Sequence, residues 1–215
     1  MKNVLFICTG NTCRSPLAEA VFEHKKTSDE LKAKSAGIHA MEGMPISEHS
    51  KTVLENKGFN HKHEAKVVDP SLLKWADVIL TMTESHKRTL IEQFPEKVNE
   101  IYTLKEFVHD DPETTKLVEE LKDQQAHLEL KRAKFIADNQ GKIEEYNKTN
   151  DVQNQQELEK QLLDEIIPHQ NVIDEIAGKL PSFDISDPFG ADVERYDETL
   201  TEIEKAVEKL LKKLK

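Results

Sequence analysis

The run Val4-Leu5-Phe6-Ile7 is apolar at every position, ends at Cys8, and gives way to a short polar loop that closes at Ser15-Pro16. An uninterrupted apolar run of this length suits a strand buried on both faces, and such strands belong to parallel sheets covered by helices. Ser15 reads as a helix cap and Pro16 as the first helical residue, with Leu17, Ala20 and Val21 forming an apolar stripe behind them. The chain therefore opens with a strand, a tight loop and a helix. The same alternation continues. Leu31 to Gly37 reads as a strand and Ser47 to Lys57 as a helix stopped by Gly58. Val78-Ile79-Leu80 is a buried strand, Glu84 to about Phe94 a helix, and Ile101-Tyr102-Thr103 a short strand. Four strand segments alternating with helices predict a small α/β fold, a four-stranded parallel sheet flanked by helices.

From Asp110 the character changes. Glu, Lys, Gln and Asp dominate to about Lys179. Leu121, Leu128 and Phe135 recur at sevens, and Leu158, Leu162, Ile166, Ile173, Ile176 and Leu180 at threes, fours and sevens, which predicts two amphipathic helices. Asn147-Lys148-Thr149-Asn150-Asp151 is the expected turn between them, and Pro168 is expected to kink or restart the second helix. The expected organisation is an α/β domain of residues 1–109 and 185–215, interrupted by a coiled-coil-like helical hairpin at 110–184. Past the hairpin, Val193, Tyr196, Leu200, Ile203, Val207, Leu210 and Leu214 share one stripe of a closing helix.

Charge and cysteine usage narrow the function classes. With 30 basic and 41 acidic residues the formal net charge is -11, which repels nucleic acid and anionic membranes, so neither is expected as a partner. No apolar run is long enough to span a bilayer and no signal segment is evident, so a soluble cytoplasmic protein is expected. The two cysteines, Cys8 and Cys13, both sit in the first loop, too few for a disulfide scaffold.

That loop, Cys8-Thr9-Gly10-Asn11-Thr12-Cys13-Arg14-Ser15, is built to receive a dianion. Successive backbone amides in a tight turn, backed by a helix N-terminus, form an oxyanion cradle. Arg14 adds a planar, permanently charged fork able to hold two phosphoryl oxygens. Cys8, at the strand end, would lie at the base of the cradle, where the same dipoles favour a thiolate. Ser15 offers that sulfur a hydroxyl, and Asn11 can fasten the turn through its side chain. Taken alone, Cys8 also fits a small buried apolar residue, and Asp187 an ordinary turn aspartate.

The loop in its context, Val-Leu-Phe-Ile-Cys-Thr-Gly-Asn-Thr-Cys-Arg-Ser-Pro, resembles the signature of the low-molecular-weight protein tyrosine phosphatases. The resemblance continues through Ser35-Ala36-Gly37, Ala76 to Met82, Leu104 to Val108 and Asp187-Pro188-Phe189-Gly190, leaving out only the insertion. It implies that family's flavodoxin-like fold and a phosphocysteine mechanism. Cys8 would attack phosphorus while Arg14 and the loop amides of Thr9 to Ser15 hold the oxygens. Asp187 would protonate the leaving group and then activate water. No metal or organic cofactor is implied. Cys13 would be placed to trap an oxidised Cys8 as a disulfide.

Within that family, Thr12 points to a branch. Tyrosine-specific members usually carry an aliphatic β-branched residue there, whereas bacterial protein arginine phosphatases carry threonine, whose hydroxyl suits a polar guanidinium. Phe189 would form an aromatic wall able to stack on that planar group. Phosphorylated proteins, with phosphoarginine foremost, are thus the expected substrates, and a tyrosine phosphatase is the alternative. Arsenate reductases of the same fold need further cysteines, and a non-catalytic phosphoprotein-binding module sits poorly with an intact Cys8, Arg14 and Asp187. Among nine histidines, His61-Lys62-His63 would put two on one strand face, but no third ligand follows at a useful spacing. No metal site is expected, and these residues, with His86, His109, His127 and His169, read as solvated. The hairpin, placed just before Asp187, is expected to stand near the site's mouth, as a spacer, a screen for protein substrates, or a surface for self-association or another protein.

Overall fold

A computed structural model describes residues 2–149 and 152–214. Its contacts separate two compact units, Met1–His109 with Phe183–Lys215, and Asp110–Ser182.

In the first unit, β1 (Lys2–Cys8), β2 (Leu31–Gly37), β3 (Val78–Thr81) and β4 (Ile101–Thr103) form one parallel sheet in the order β2-β1-β3-β4. Val4 to Ile7 are fully buried because β1 is central and both of its faces are covered. The alternation of a strand divides the core into two layers. Val4, Phe6, Val78 and Leu80 pack with Leu17 and Phe22 of α1 (Arg14–Lys25) and with Leu200, Val207 and Leu210 of the closing helix. Leu5, Ile7 and Ile79 face the other way, onto Leu72, Leu73 and Leu90. Each such side chain, fully buried, contributes roughly 1.5–3 kcal/mol of transfer free energy.

The helices carry their signals at the ends. α2 (Glu48–Asn56) is capped by Ser47, whose hydroxyl accepts from the Ser50 amide, and the chain leaves it through Gly58 at φ +75°, a left-handed conformation that suits glycine. α3 (Pro70–Trp75) starts on Asp69 and α4 (Glu84–Gln93) on Thr83, each with a capping side chain. α5 (Leu104–Val108) has a full capping box between Thr103 and Glu106. α1 departs from expectation. It begins at Arg14 with Cys13 as its cap residue and no side-chain cap, so Ser15 and Pro16 are its second and third residues. Proline is tolerated there because first-turn amides have no intrahelical acceptor, and the Ser15 hydroxyl is used inside the site instead.

The second unit contains α6 (Pro112–Asp138), α7 (Gln140–Thr149) and α8 (Val152–Lys179). Asp111 caps α6 by accepting from the Thr114 amide, and Leu128, Ile166 and Ile173, with Leu121 and Leu162 beside them, form its small core. Among the described residues, three helical segments stand where two helices were expected. The first interruption falls at Asn139, whose side chain donates to the Phe135 carbonyl and satisfies the end of α6. Asn147 to Thr149, expected in the turn, lie in α7, while Asn150 and Asp151 fall outside the described residues. Pro168 does not restart α8, which is helical on both sides of it. At the far junction Phe183 and Asp184 group with the α/β unit rather than with the helices, because Phe183 is buried against the His109 ring and Asp184 accepts from the Glu84 amide at 2.7 Å.

The chain ends in α9 (Val193–Lys213), which packs on α1, α2 and α5 and buries Tyr196, Leu200, Ile203, Val207 and Leu210 along its stripe. Among the described residues no helix is long and apolar enough to cross a membrane.

Candidate active site

From β1 the chain moves to β2 on one side and then to β3 on the other, so the end of β1 is the point where strand order reverses. Crevices in open α/β sheets form at that point, outside the carboxyl ends of the strands. Cys8 is the last residue of β1. Its carbonyl accepts from Ile38, that of Thr9 from His39, and that of Thr12 from Ser47, which ties the loop to its surroundings by main-chain bonds of 2.9–3.0 Å.

The conformational key of the loop is Asn11. It is the one non-glycine with positive φ among the described residues, at 53°, a region asparagine tolerates better than most. Its side chain is fully buried and fully used. Nδ2 donates to Ser15 Oγ at 2.9 Å and to Ser35 Oγ at 2.8 Å, and Oδ1 accepts from the Lys66 amide at 2.9 Å. Ser15 Oγ in turn sits 3.0 Å from Cys8 Sγ. Gly10 is not the residue the turn depends on, since a Cβ there would meet only Thr12 Oγ1 at an ordinary 3.6 Å. Gly37 is. A Cβ at that position would lie 2.5 Å from the Thr9 carbonyl oxygen and 2.9 Å from the Asn11 nitrogen, both backbone atoms.

Arg14 is buried, and its guanidinium donates to Asp187 Oδ2 at 2.8 Å and to the Ile185 carbonyl at 3.4 Å. The Ile185 amide donates to the Met82 carbonyl at 2.8 Å, which holds the segment leading to Asp187 against the end of β3. The Asp187 side chain remains 52% exposed, so it can face both arginine and an incoming group. Its other oxygen accepts from the Phe189 amide at 3.1 Å, making it a turn aspartate as well. Phe189 is 81% exposed, an apolar ring held out in solvent. Cys13 Sγ lies among hydroxyls, 3.4 Å from Tyr196 Oη and 3.5 Å from Ser47 Oγ. Burial and the contact with Cys13 push the Tyr196 hydroxyl up to about 12.

Several histidines depart from the solvated reading, among them His109, half-buried against the Phe183 ring, and three that surround the loop. His86 is buried, with Nε2 2.8 Å from Thr9 Oγ1 and Nδ1 2.8 Å from Thr83 Oγ1, so it clips the cradle to the start of α4. Burial, reinforced by Arg14, pulls it down to about 4, and the neutral ring uses one nitrogen as donor and the other as acceptor. His61 and His63 lie in an irregular segment rather than on a strand, and both are largely covered. His63 Nε2 donates to the Asn11 carbonyl at 2.6 Å. Thr9, Arg14, His86, Ile185 and Asp187 line a cavity of about 410 Å³ beside the loop.

All the expected residues from Cys8 to Ser15 are thus gathered at one point, together with Asp187. Ser35, Gly37, His63, His86 and Tyr196 are the supporting residues that sequence reading did not place. Only Ser35 and Gly37 had a signal, in the Ser-Ala-Gly that ends β2.

Against known proteins, residues 3–133 match the family model described as low molecular weight phosphotyrosine protein phosphatase. A protein-arginine-phosphatase of Geobacillus stearothermophilus is 44% identical over 105 residues, 49% of this chain and 70% of that protein. A low molecular weight protein-tyrosine-phosphatase PtpB of Staphylococcus epidermidis is 36% identical over 110 residues, 51% of this chain and 76% of that one. Among solved structures, the YwlE arginine phosphatase from Geobacillus stearothermophilus superposes with a TM-score of 0.64 at 28% identity, covering 100% of this chain and 93% of that one. A low molecular weight protein tyrosine phosphatase from T. tengcongensis gives a TM-score of 0.63 at 29% identity, with 99% of each chain covered. The chain belongs to the low molecular weight phosphotyrosine protein phosphatase family.

Proposed function

We propose that the chain is a protein phosphatase that removes phosphate from arginine side chains of proteins, with Cys8 as nucleophile. The observation that carries this reading is the convergence of three groups. The Cys8 sulfur is hydrogen-bonded to Ser15, the buried Arg14 guanidinium opens onto the same loop, and the half-exposed Asp187 sits 2.8 Å from that guanidinium. The Thr9 to Ser15 amides and Arg14 receive the phosphoryl oxygens, and the phosphate displaces Asp187 from Arg14. The Cys8 thiolate forms a sulfur–phosphorus bond as the phosphorus–nitrogen bond breaks, and Asp187 delivers its proton to the departing guanidine nitrogen. Asp187, now a carboxylate, takes a proton from water, which attacks phosphorus and returns Cys8 as thiolate with release of inorganic phosphate. Cys13 stands within the same loop as a reserve thiol able to pair with an oxidised Cys8.

Thr12 and the 44% identical relative named protein-arginine-phosphatase favour arginine over tyrosine, and Phe189 supplies a flat apolar wall for the guanidinium plane. A tyrosine phosphatase is the second reading, favoured by the 36% identical PtpB relative. The deciding experiment compares kcat/KM on phosphoarginine and phosphotyrosine proteins for the native chain and Thr12→Ile. The native chain is expected to prefer phosphoarginine, and the substitution to shift the ratio toward phosphotyrosine by about tenfold, the worth of one polar contact in a recognition pocket. A native preference for phosphotyrosine rejects the arginine assignment.

A further inference from the structure

Glu19 leaves α1 toward β2 and toward the irregular segment carrying His61 and His63. Its Oε2 accepts from Ser35 Oγ at 2.5 Å and lies 4.0 Å from His61 Nε2 and 4.0 Å from His63 Nδ1. Each of the three residues offers one ligand atom, and the three atoms fall within 4.8 Å of one another. We infer that Glu19, His61 and His63 form a binding site for one zinc-class divalent ion beneath the Asn11 end of the loop.

Two observations support the assignment. The His63 Nε2 faces a carbonyl, which can only accept, so the proton sits on Nε2 and the lone pair is on Nδ1, the atom turned to Glu19. A ligating histidine whose second nitrogen donates to a backbone carbonyl is the usual outer-shell arrangement at metal sites. Next, His61 Nε2 is buried with no hydrogen-bond partner, a situation that costs about 1–3 kcal/mol and that an ion would relieve.

Two imidazoles and one carboxylate with an open fourth position suit zinc better than calcium or magnesium, which prefer all-oxygen shells. With bonds of roughly 2.0–2.1 Å, tetrahedral ligands stand about 3.3 Å apart, so each 4.0 Å gap must close by about 0.7 Å, within reach of small side-chain rotations. A cavity of about 520 Å³ lined by Glu19, Ser35, His63, Glu64 and Lys66 provides entry and space for a water as fourth ligand. The site touches the loop twice, through His63 on the Asn11 carbonyl and through Ser35 on the Asn11 side chain, so an ion here would brace the cradle without entering it.

The test uses the full chain with Cys8→Ser and Cys13→Ser, which removes the thiols as competing ligands. Calorimetric titration with zinc chloride is expected to show one ion bound per chain. Adding either Glu19→Gln, which is nearly isosteric, or His61→Ala is expected to weaken binding at least about tenfold. Cobalt(II) is expected to give the visible absorption of a tetrahedral site in the parent and to lose it in both variants. Equal zinc affinity in the parent and both folded variants, or no saturable binding up to millimolar zinc, overturns the assignment.

Discussion

The α/β unit and the helical unit are built from the same kinds of residue and use them in opposite ways. In the α/β unit, polar side chains are drawn inside. Asn11, Arg14, Ser15, Ser35, Thr81 and His86 are all buried, and Asn11, Ser15 and Ser35 are joined with Cys8 in one hydrogen-bonded net. Among the described residues of the helical unit the buried side chains are all apolar, namely Leu128, Phe135, Leu158, Ile166, Ile173 and Ile176, while Leu130, Ile136 and Leu163 are exposed. A buried polar net has few alternative arrangements because each unpaired member is penalised, whereas a narrow apolar seam tolerates many substitutions around it. Rigidity is concentrated where an oxyanion must be met by fixed amides.

This contrast is most exposed to failure at Gly37. Gly37→Ala puts a methyl group against two backbone atoms of the loop, so it is expected to cost about 3 kcal/mol in urea unfolding and to lower kcat/KM by at least about tenfold. A variant with native stability and turnover would show that the loop is not held as tightly as the net implies.

A smaller effect probes the net through pH. The Glu19 carboxyl titrates at about 7 in the folded chain against 4.5 for an ordinary glutamate, because burial disfavours the anion. Glu23 adds to this shift, while Ser35 and Lys66 oppose it. The folded state therefore holds the proton more firmly, and the resulting stability is present below pH 4.5 and lost as pH rises through 7. Measured with chelator present, the native chain is expected to lose about 3 kcal/mol relative to Glu19→Gln between pH 4.5 and pH 8. His61, His63 and His86, all lowered by burial, act in the other direction below pH 6.5, and the subtraction removes the His86 contribution. A pH-independent difference would rule out a protonated Glu19.

The smallest expected effect lies in the other unit. Leu128→Ala should cost about 2 kcal/mol, the low end for such truncations because a two-helix seam can close around the gap. The loss should appear as faster amide exchange within Asp110–Ser182, with kcat on a small phosphorylated substrate unchanged. A parallel fall in kcat would sink the functional independence of the two units.

Strands, the stop at Gly58 and the nucleophile loop were legible because each depends on residues adjacent in the chain. The run from Val4 to Ile7 and Gly58 at positive φ both act locally. The supporting net was not legible, because Asn11 is fastened by residues 24 to 55 positions away and nothing in the His61-Lys62-His63 spacing announces Glu19 on a distant helix. Ser15 was misread only as a helix cap; its hydroxyl meets the Cys8 sulfur as expected, and the helix starts one residue earlier. In the helical unit the heptad pattern located the seam, but the break at Asn139 depends on a side chain folding back on its own helix, a choice that periodicity does not encode.

The position of α9 in the chain has a consequence for synthesis. The stripe that covers α1 is translated about eighty residues after His109, on the order of ten seconds later at ribosomal elongation rates. Throughout that interval the nascent sheet carries Leu17, Val21 and Phe22 without their eventual cover, while the helices of Asp110–Ser182 emerge with a core of their own. The hazard of misassembly on the ribosome therefore falls on the older half of the chain, and slowing translation beyond His109 should increase aggregation more than slowing it before Met1–His109 is complete.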